Sequence, residues 1–474
     1  MKTHCHTRRS QKTRIILLVS ALAGTLPAVA DVRLPKIFTD NMMLQRDQPV
    51  RVWGWADAGE PVSVALAGTT VATKADDQGQ WALELPAVKA GENLQLAVQG
   101  KNSLTLQNVI IGDIWVCSGQ SNIEWAFGWK CLGGAEDIAA ANLPKIRCIK
   151  IKRTQSDKPE ADAPTNAPWQ VCTPETAPAF TAVGFYFARE IQQKTGVPTG
   201  IIDSDWGGSR IEPWIVGAEP SKPGACGRYN AMIHPLVKFP IKGARWYQGE
   251  SNGGEGETYY EKMRALIGGW RKQWNQGDFP FHYVQLANYQ APLDDPAGGN
   301  GWAKLREAQT KALTIPNTGM AVIIDTVPRA EAGNIHPANK YDVGVRLARW
   351  ALGRDYGQKD LEVSGPLFKA LLIDGNKARV KFEHAGSGLM LGKKDGRTPV
   401  VECKGEKLRR IAIAGADKKW FWADAVIDNN ALIVSAPEVK QPVAVRYAFE
   451  MNPDGANLYN REGLPASPFR TDDW

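Results

Sequence analysis

Hydrophobic and polar residues follow two different patterns along this chain. Between residues 31 and 108, short runs such as "PVSVALAG" and "NLQLAVQG" alternate apolar with polar positions between turn residues, which predicts an antiparallel β domain. From 109 to 357, short apolar runs are followed by segments with apolar residues at helical spacing. From 358 to 474, strand-like runs return. These changes predict an α/β central domain flanked by two β regions.

The pattern of the central region indicates a parallel sheet with helices on both faces. Strands such as "TGIIDSDW" and "MAVIID" alternate with helices predicted near 179–195 and 257–275 and in "YDVGVRLARWAL". Such alternation is typical of parallel sheets, because each crossover between parallel strands places a helix on the sheet. In open sheets of this kind, ligands bind beyond the carboxyl ends of the strands, so polar residues there are candidate site residues.

Residues 1–30 have the features of a secretory signal. A basic stretch is followed by the apolar run "IILLVSALAGTL" and by "AVA" before Asp31, which is the order of a signal peptide and its cleavage site. We therefore expect a secreted or periplasmic protein. Five of the 57 Lys and Arg residues and none of the 50 acidic residues lie in this segment. The rest of the chain is nearly neutral, which argues against nucleic acid or an anionic membrane as a partner.

The cysteines that follow this segment are even in number: Cys117, Cys131, Cys148, Cys172, Cys226 and Cys403. In an oxidising compartment they could form one to three disulfides. No two of them have the spacing of a zinc site. We therefore expect no metal and no cofactor, and nothing in the sequence points to an obligate protein partner.

The stretch "GDIWVCSGQSN" places Ser121 where a predicted strand runs into polar turn residues. Taken alone, the motif favours a serine that caps the following helix. It also differs from the G-x-S-x-G elbow, because Ile123 occupies the second glycine position. Its place at a strand end nevertheless makes Ser121 a candidate nucleophile.

A serine nucleophile needs a base, and histidine suits that role near neutral pH. Beyond the signal segment the histidines are His234, His282, His336 and His384. His336 is preferred because "GNIHPANKYDVG" is a loop between the strand ending at Asp325 and the next helix. The alternative is a loop histidine that bonds a nearby carbonyl.

Two further loops after strands could supply donors to an oxyanion. "DWGGSRIEPW" contains Gly207 and Gly208, whose N–H groups a substrate oxygen could approach closely, and "GARWYQGESN" contains the amide of Gln248. Acyl transfer needs such donors where negative charge develops. The simpler interpretations are a turn for the glycine pair and an ordinary loop amide for Gln248.

Together these motifs resemble the sialate O-acetylesterase family of SGNH-type carbohydrate esterases. "GDIWVCSGQSN", "WGGSRIEPW", "IKGARWYQGESN", "LREAQ" and "NIHPANK" occur in the order typical of that family, and the similarity extends to "NLYNREGLPASPFRTD". The resemblance implies an SGNH-hydrolase-like parallel sheet. It also implies Ser121 as nucleophile and His336 as base. The oxyanion hole would come from the N–H of Ser121, the N–H of Gly207 or Gly208, and Gln248.

This sequence departs from the family pattern in two places. Family members often carry a further β domain after the Gly-Gly loop, whereas only about a dozen residues separate "EPW" from "RYNAMIHPL" here. The family also resembles other SGNH enzymes in an Asp three residues before the His, where this chain has Gly333 followed by Asn334. The acid that orients His336 could be Asp325, which we prefer, or Glu331. Asn334 or a backbone carbonyl could serve instead.

We therefore predict an exported serine esterase that removes O-acetyl groups from sugars, with Asn122, Arg210 and Glu250 as substrate-binding residues. Trp125, Trp129 and Trp206 lie near the motif loops and could stack on sugar rings. Two alternatives stay open. One is an acetyl esterase acting on plant polysaccharides such as acetylxylan or xyloglucan. The other is a non-catalytic carbohydrate-binding protein.

Overall fold

The computed structural model of the protein describes residues 1–3, 31–217 and 225–474. The predicted signal segment, residues 1–30, lies outside these ranges except for its first three residues. Within the described ranges, no helix is both long enough and apolar enough to cross a membrane.

The N-terminal region is a mostly antiparallel β structure. Its strands are β1 (Met43–Gln45), β2 (Val50–Trp55), β3 (Pro61–Leu66), β4 (Thr69–Lys74), β5 (Gln80–Leu85) and β6 (Gly91–Gln99). Strand β3 pairs with β4 and β6, and β2 pairs with β5. Of these described strands only β1 pairs in parallel, with the strand that leads into the central sheet. In β5 the alternation buries Trp81, Leu83 and Leu85 and exposes the residues between them, because successive side chains of a strand point to opposite faces.

The central region is built on a mostly parallel sheet. Its strands are β7 (Ser103–Gly119), β8 (Leu143–Lys150), β9 (Gln170–Cys172), β10 (Thr199–Asp205), β11 (Gly243–Tyr247), β12 (Phe281–Val284) and β13 (Thr318–Ala321). Their order is β13-β12-β11-β7-β10-β8-β9, and only the β8–β9 pair is antiparallel. Every residue of β10 and β11 is buried, as expected for strands covered on both faces.

Helices cover both faces of this sheet. They are α1 (Ser121–Glu124), α2 (Gly134–Ala139), α3 (Ala182–Thr195), α4 (Tyr259–Trp274), α5 (Gly301–Lys311) and α6 (Lys340–Arg354). Trp115 and Cys117 of β7 belong to the same core as the buried faces of α3 and α6. Val116, between them, belongs to the core that contains the buried residues of α4 and α5. The predicted α/β fold with helices on both faces is confirmed.

Strand β7 joins the N-terminal region to the central sheet. It pairs antiparallel with β6 over its first half and parallel with β10 and β11 over its second half. The boundary predicted between residues 108 and 109 therefore falls inside one strand. It coincides with an irregularity of the β6–β7 pairing near Asn108, whose φ of 55° lies in the left-handed region.

The C-terminal region consists of small antiparallel sheets. Its strands are β14 (Leu367–Asp374), β15 (Lys377–Glu383), β16 (Leu389–Lys393), β17 (Val401–Glu402), β18 (Ile411–Gly415), β19 (Trp420–Trp422), β20 (Asp424–Asp428), β21 (Ala431–Ser435), β22 (Pro442–Tyr447), β23 (Leu458–Asn460) and β24 (Phe469–Arg470). Arg306 of α5 is fully buried and donates to the carbonyls of Glu450 and Met451 at 2.7 and 3.0 Å. These bonds hold the C-terminal region against the central one.

All six cysteines considered above are unpaired. The structure therefore contains none of the disulfides that the even number of cysteines allowed. Cys117, Cys148 and Cys172 are buried, and burial raises the pKa of each of these thiols. They behave as small apolar residues of the core.

Candidate active site

The carboxyl ends of β7, β10 and β11 bring three of the predicted site loops together. Gly119 ends β7 and lies beside Asp205 of β10 and Tyr247 of β11. Its φ is 136°, and an added Cβ would come within 2.2 Å of the Tyr247 carbonyl oxygen. Only glycine fits this position without displacing the neighbouring strand. The chain can therefore turn sharply here, and Ser121 lies at the edge of the sheet.

Ser121 is the first residue of α1, and its hydroxyl contacts His336. The Ser121 Oγ lies 2.8 Å from His336 Nε2. The cap of α1 is Gln120, whose side chain makes no capping bond, so the serine does not have the capping role that the motif alone favoured. A hydroxyl hydrogen-bonded to an imidazole can lose its proton to that imidazole as it attacks an electrophile.

The His336 ring is half-buried between Ser121 and an indole. Its centroid lies 5.0 Å from that of Trp125, with the two rings tilted by 31°. Burial lowers the pKa of His336 below its ordinary value, and the nearby cation of Lys340 lowers it further. Among the described residues, no side chain or carbonyl bonds the other ring nitrogen, Nδ1.

None of the predicted orienting groups reaches the His336 ring. Both carboxylate oxygens of Asp325 accept hydrogen bonds from Arg346, at 2.6 and 2.8 Å. The preference for Asp325 is therefore corrected, since its carboxylate is held by a buried guanidinium. Asn334 accepts a bond from the backbone N–H of His336 at 3.0 Å, which shapes the loop but does not orient the ring. Glu331 is exposed, and within the described residues it makes no hydrogen bond to His336.

The glycine pair lies directly beside the serine. A Cβ added to Gly207 would lie 3.6 Å from the Ser121 Cβ and 2.6 Å from a carboxylate oxygen of Glu124, so a side chain there would crowd the site. Gly208 has a φ of 70°, in the left-handed region that favours glycine. In the described structure, the N–H groups of Gly207 and Gly208 donate to no protein acceptor. The N–H of Ser121 has no intrahelical acceptor, because it is in the first turn of a helix.

Gln248 lies at the predicted strand end, but its amide is already fully engaged. The Nε2 group donates to Gln120 Oε1 at 3.0 Å, to the Ser209 carbonyl at 3.2 Å and to Asn252 Oδ1 at 2.7 Å. Its Oε1 accepts from the Tyr259 hydroxyl at 2.6 Å. The side chain is fully buried. The expectation of Gln248 as an oxyanion donor is therefore corrected, because this amide connects the loops beneath the site.

The sequence model of the family described as "Carbohydrate esterase, sialic acid-specific acetylesterase" matches residues 111–352, which contain the whole site described above. The chain belongs to this carbohydrate esterase family. It has the serine, the histidine and the glycine pair at the edge of one sheet, as the motifs of the family implied.

Similar proteins agree with this assignment. The sialate O-acetylesterases of Pongo abelii and Homo sapiens are each 28% identical to this chain and are aligned over 92% of both chains. The crystal structure of a carbohydrate acetylesterase from Xanthomonas citri is 42% identical, covers 94% of this chain and 100% of its own, and superposes with a TM-score of 0.86. The protein is a carbohydrate acetylesterase of the sialate O-acetylesterase type. The predicted ester hydrolase is confirmed, and the non-catalytic alternative is not supported.

Two of the esterase's predicted substrate-binding residues bond each other instead of facing the site. Asn122 is 1% exposed, and its Nδ2 donates to Glu250 Oε1 at 2.5 Å and to the Ile335 carbonyl at 3.0 Å. Its Oδ1 accepts from Lys340 Nζ. Sequence reasoning missed Lys340, although it ends the "NIHPANK" motif. A lysine is usually exposed, so nothing in the sequence indicated that this one is buried.

Arg210 also differs from its predicted role. Its guanidinium pairs with Glu212 and Glu255 and donates to the Ser251 carbonyl at 3.2 Å. These acidic partners neutralise it within its own loop cluster. Among the described residues, its side chain makes no contact with Ser121 or His336.

The tryptophans near the site differ in exposure. Trp129 is 52% exposed and meets Trp125 edge to face at 5.2 Å between ring centroids. Trp206 has one ring face covered by Arg228 at 4.6 Å. Trp125 and Trp129 therefore form the aromatic surface beside the Ser121–His336 pair. Among the described residues, no group of three or more His, Cys, Asp or Glu side chains is arranged to hold a metal ion.

Proposed function

We propose that Ser121 is the nucleophile and His336 the general base of this esterase, and that the acyl group is acetyl on a sugar hydroxyl. The observation that carries the proposal is the 2.8 Å contact between Ser121 Oγ and His336 Nε2. Because the pKa of His336 is lowered, the ring is neutral at pH 7 and can accept the serine proton.

The reaction would proceed through an acetyl-enzyme. Ser121 Oγ attacks the acetyl carbonyl carbon while its proton passes to His336 Nε2. The resulting oxyanion lies within reach of the N–H groups of Ser121, Gly207 and Gly208. Collapse of the intermediate breaks the bond to the sugar oxygen, which takes the proton from His336. Water then attacks the acetyl-serine, His336 accepts its proton, and Ser121 recovers it as acetate leaves.

We propose a Ser-His dyad, because none of the candidate orienting side chains bonds the His336 ring in the described structure. Asp325 is paired with Arg346, and Asn334 bonds the main chain. The ring is positioned instead by its contact with Trp125 and by the hydroxyl of Ser121. A dyad retains the proton transfer of a triad but lacks a carboxylate to stabilise the imidazolium.

The substrate is proposed to be an O-acetylated sugar that rests on Trp129 and Trp125. An exposed indole beside a catalytic pair marks a binding surface. The relatives named sialate O-acetylesterase support an acetylated sialic acid. The relative named carbohydrate acetylesterase supports a broader range of sugars. Acetylated plant polysaccharides stay the second candidate, because the Xanthomonas citri relative is named for carbohydrates in general.

The experiment compares Ser121→Ala with Ser251→Ala, which changes a serine of the neighbouring loop whose hydroxyl bonds nothing in the described structure. Acetate release is measured from O-acetylated sialic acid, acetylated xylan and acetylated xyloglucan oligosaccharides. Ser121→Ala should lower kcat on every substrate by a factor on the order of 10³ or more. Ser251→Ala should leave kcat near that of the parent. Near-normal turnover of Ser121→Ala would exclude the mechanism, and the substrate with the highest kcat/KM identifies the sugar.

We also propose that the esterase is exported. The support is the order of basic, apolar and small residues in segment 1–30. N-terminal sequencing of the protein from the culture medium or periplasm should begin at or near Asp31. Recovery of the full-length chain from the cytoplasm alone would contradict export.

A further inference from the structure

We propose that a buried chain of polar contacts, Lys340–Asn122–Glu250, positions Ser121 and His336 and thereby supplies the alignment that a triad acid provides in related sites. This inference rests on the dyad proposed above. Asn122 and Lys340 are positioning residues, since neither is placed to touch the reacting atoms.

Asn122 ties the segment of the nucleophile to the segment of the base. It follows Ser121 in α1, and the carbonyl it bonds belongs to Ile335, which precedes His336. The same Nδ2 group donates to Glu250 in the loop after β11. One amide group therefore fixes three loops relative to one another, next to the 2.8 Å contact between serine and histidine.

Lys340 determines which way the Asn122 amide faces. An ammonium can only donate hydrogen bonds, whereas a carboxylate and a carbonyl can only accept them. With Lys340 on one side, Asn122 must present Oδ1 to it and Nδ2 to Glu250 and Ile335. Lys340 is the first residue of α6 and is 0% exposed. A buried ammonium is costly unless it has such a role.

The surroundings of Lys340 keep its charge close to His336. Its Nζ lies 5.4 Å from the centre of the Trp125 ring and 5.7 Å from that of Tyr247. The other ionisable groups facing it are Glu250 and the thiol of Cys131, which favour the charged form. Burial nevertheless lowers the pKa of Lys340 to about 7. The lysine is therefore mostly protonated in the acidic range where His336 titrates.

The charge of Lys340 acts on His336 in the opposite direction to a triad acid. A carboxylate beside the ring would stabilise the imidazolium and raise the histidine pKa, whereas Lys340 lowers it. The base would stay neutral, and the esterase active, at a more acidic pH than a triad would allow. Position and basicity of His336 would thus depend on the same lysine.

The test is Lys340→Met, which keeps a long unbranched side chain and removes its charge and donors. The matched control is Lys394→Met, because Lys394 is 6% exposed and pairs with Asp342 near the same end of α6 but does not bond Asn122. In Lys340→Met, the acidic limb of kcat/KM against pH should move upward by roughly half a pH unit or more. At pH 8, where Lys340 is mostly neutral but its amine still donates to Asn122, kcat should fall about 10- to 100-fold in this variant because the pair loses its alignment. Lys394→Met should change neither.

A loss of thermal stability in Lys340→Met with an unmoved acidic limb and an unchanged kcat would overturn the inference. If that variant does not fold, Lys340→Gln replaces it, because the Gln amide can donate to Asn122 but carries no charge. Its acidic limb should still move upward, and an unmoved limb would overturn the role of the charge.

A second pair of variants tests Asn122. Glu250→Gln should retain most of kcat, because Gln still offers an acceptor to Asn122, whereas Asn122→Leu should lose most of kcat. Equal activity of these two variants would overturn the role of Asn122.

The outcome is separable from that of the dyad. If Ser121→Ala is inactive while the acidic limb of Lys340→Met is unmoved, the dyad stands and the positioning chain fails. If Ser121→Ala is active, the dyad itself fails.

Discussion

Replacing Gln248 with Ala should destabilise the protein without selectively removing transition-state stabilisation. The structure gives this amide four side-chain hydrogen bonds and no exposed surface. An oxyanion donor would instead have an unpaired N–H facing the serine. Truncation of a structural amide lowers the unfolding free energy, whereas truncation of an oxyanion donor lowers kcat.

The size of the effect follows from what each partner retains. In Gln248→Ala, Asn252 Oδ1 still accepts from the Ile211 N–H at 3.1 Å, and Gln120 Oε1 still accepts from the Ser251 N–H at 3.2 Å. Within the described structure, the Ser209 carbonyl is left without a donor. One unsatisfied buried carbonyl and the cavity left by the side chain together cost about 2 to 4 kcal/mol of unfolding free energy.

The assay is urea unfolding followed by tryptophan fluorescence, combined with kcat measured on the folded variant. We expect the unfolding free energy to fall by the amount given above and kcat to stay within about 10-fold of the parent. Gln248→Glu serves as a second variant, since it places a carboxylate oxygen before three acceptor oxygens. Burial among acceptors raises the pKa of that carboxyl, so this variant should lose more stability at pH 8 than at pH 5. Unchanged stability of Gln248→Ala with a kcat loss on the order of 10² to 10³ would refute the reasoning and restore the oxyanion role.

Three further predictions concern the neighbouring residues. Asp325→Asn should lower the unfolding free energy by about 3 kcal/mol, because it breaks a buried pair with Arg346; a kcat loss near 10⁴-fold at unchanged stability would instead identify a triad acid. Trp129→Ala should raise KM for an acetylated sugar about 5- to 10-fold with little effect on the small ester vinyl acetate, and equal changes on both would contradict a sugar-stacking role. Because the pKa of His336 is lowered, kcat/KM should be complete at neutral pH and fall only as the pH drops below 6.5; an acidic limb at or above that value would contradict the environment described for the ring.

The sequence predicted the architecture well because the backbone geometry of a helix or a strand fixes the spacing of its buried residues. The run of β10 is buried along its whole length, and α4 buries Met263, Ile267, Trp270 and Trp274 at the predicted helical spacing. The rule that ligands bind beyond the carboxyl ends of parallel strands likewise predicted that Ser121 and Gly207 lie at one edge of the sheet. The boundary near residue 108 was harder to place, because β7 continues through it and no run of turn residues marks the change.

The side-chain partners could not be read from the sequence in the same way. Whether Gln248 faces the substrate or the protein depends on the loops around it, which come from distant parts of the chain. The pairing of Asp325 with an arginine could have been predicted from the sequence. Arg346 lies among the apolar residues Val343 and Leu347 on the inner face of α6, and a buried arginine needs an acidic partner. Lys340 is buried because α6 begins beneath the loop that contains His336, and the sequence does not show how that loop and the helix pack together.

The central claim is that Ser121 is a nucleophile activated by His336, and covalent labelling tests it most directly. The esterase is treated with an activated fluorophosphonate, and the modified residue is located by peptide mass spectrometry in the parent and in His336→Ala. The account predicts a single adduct on Ser121, formed at least about 10²-fold more slowly without the imidazole. An adduct on another residue, or labelling of Ser121 at the same rate in His336→Ala, would contradict it.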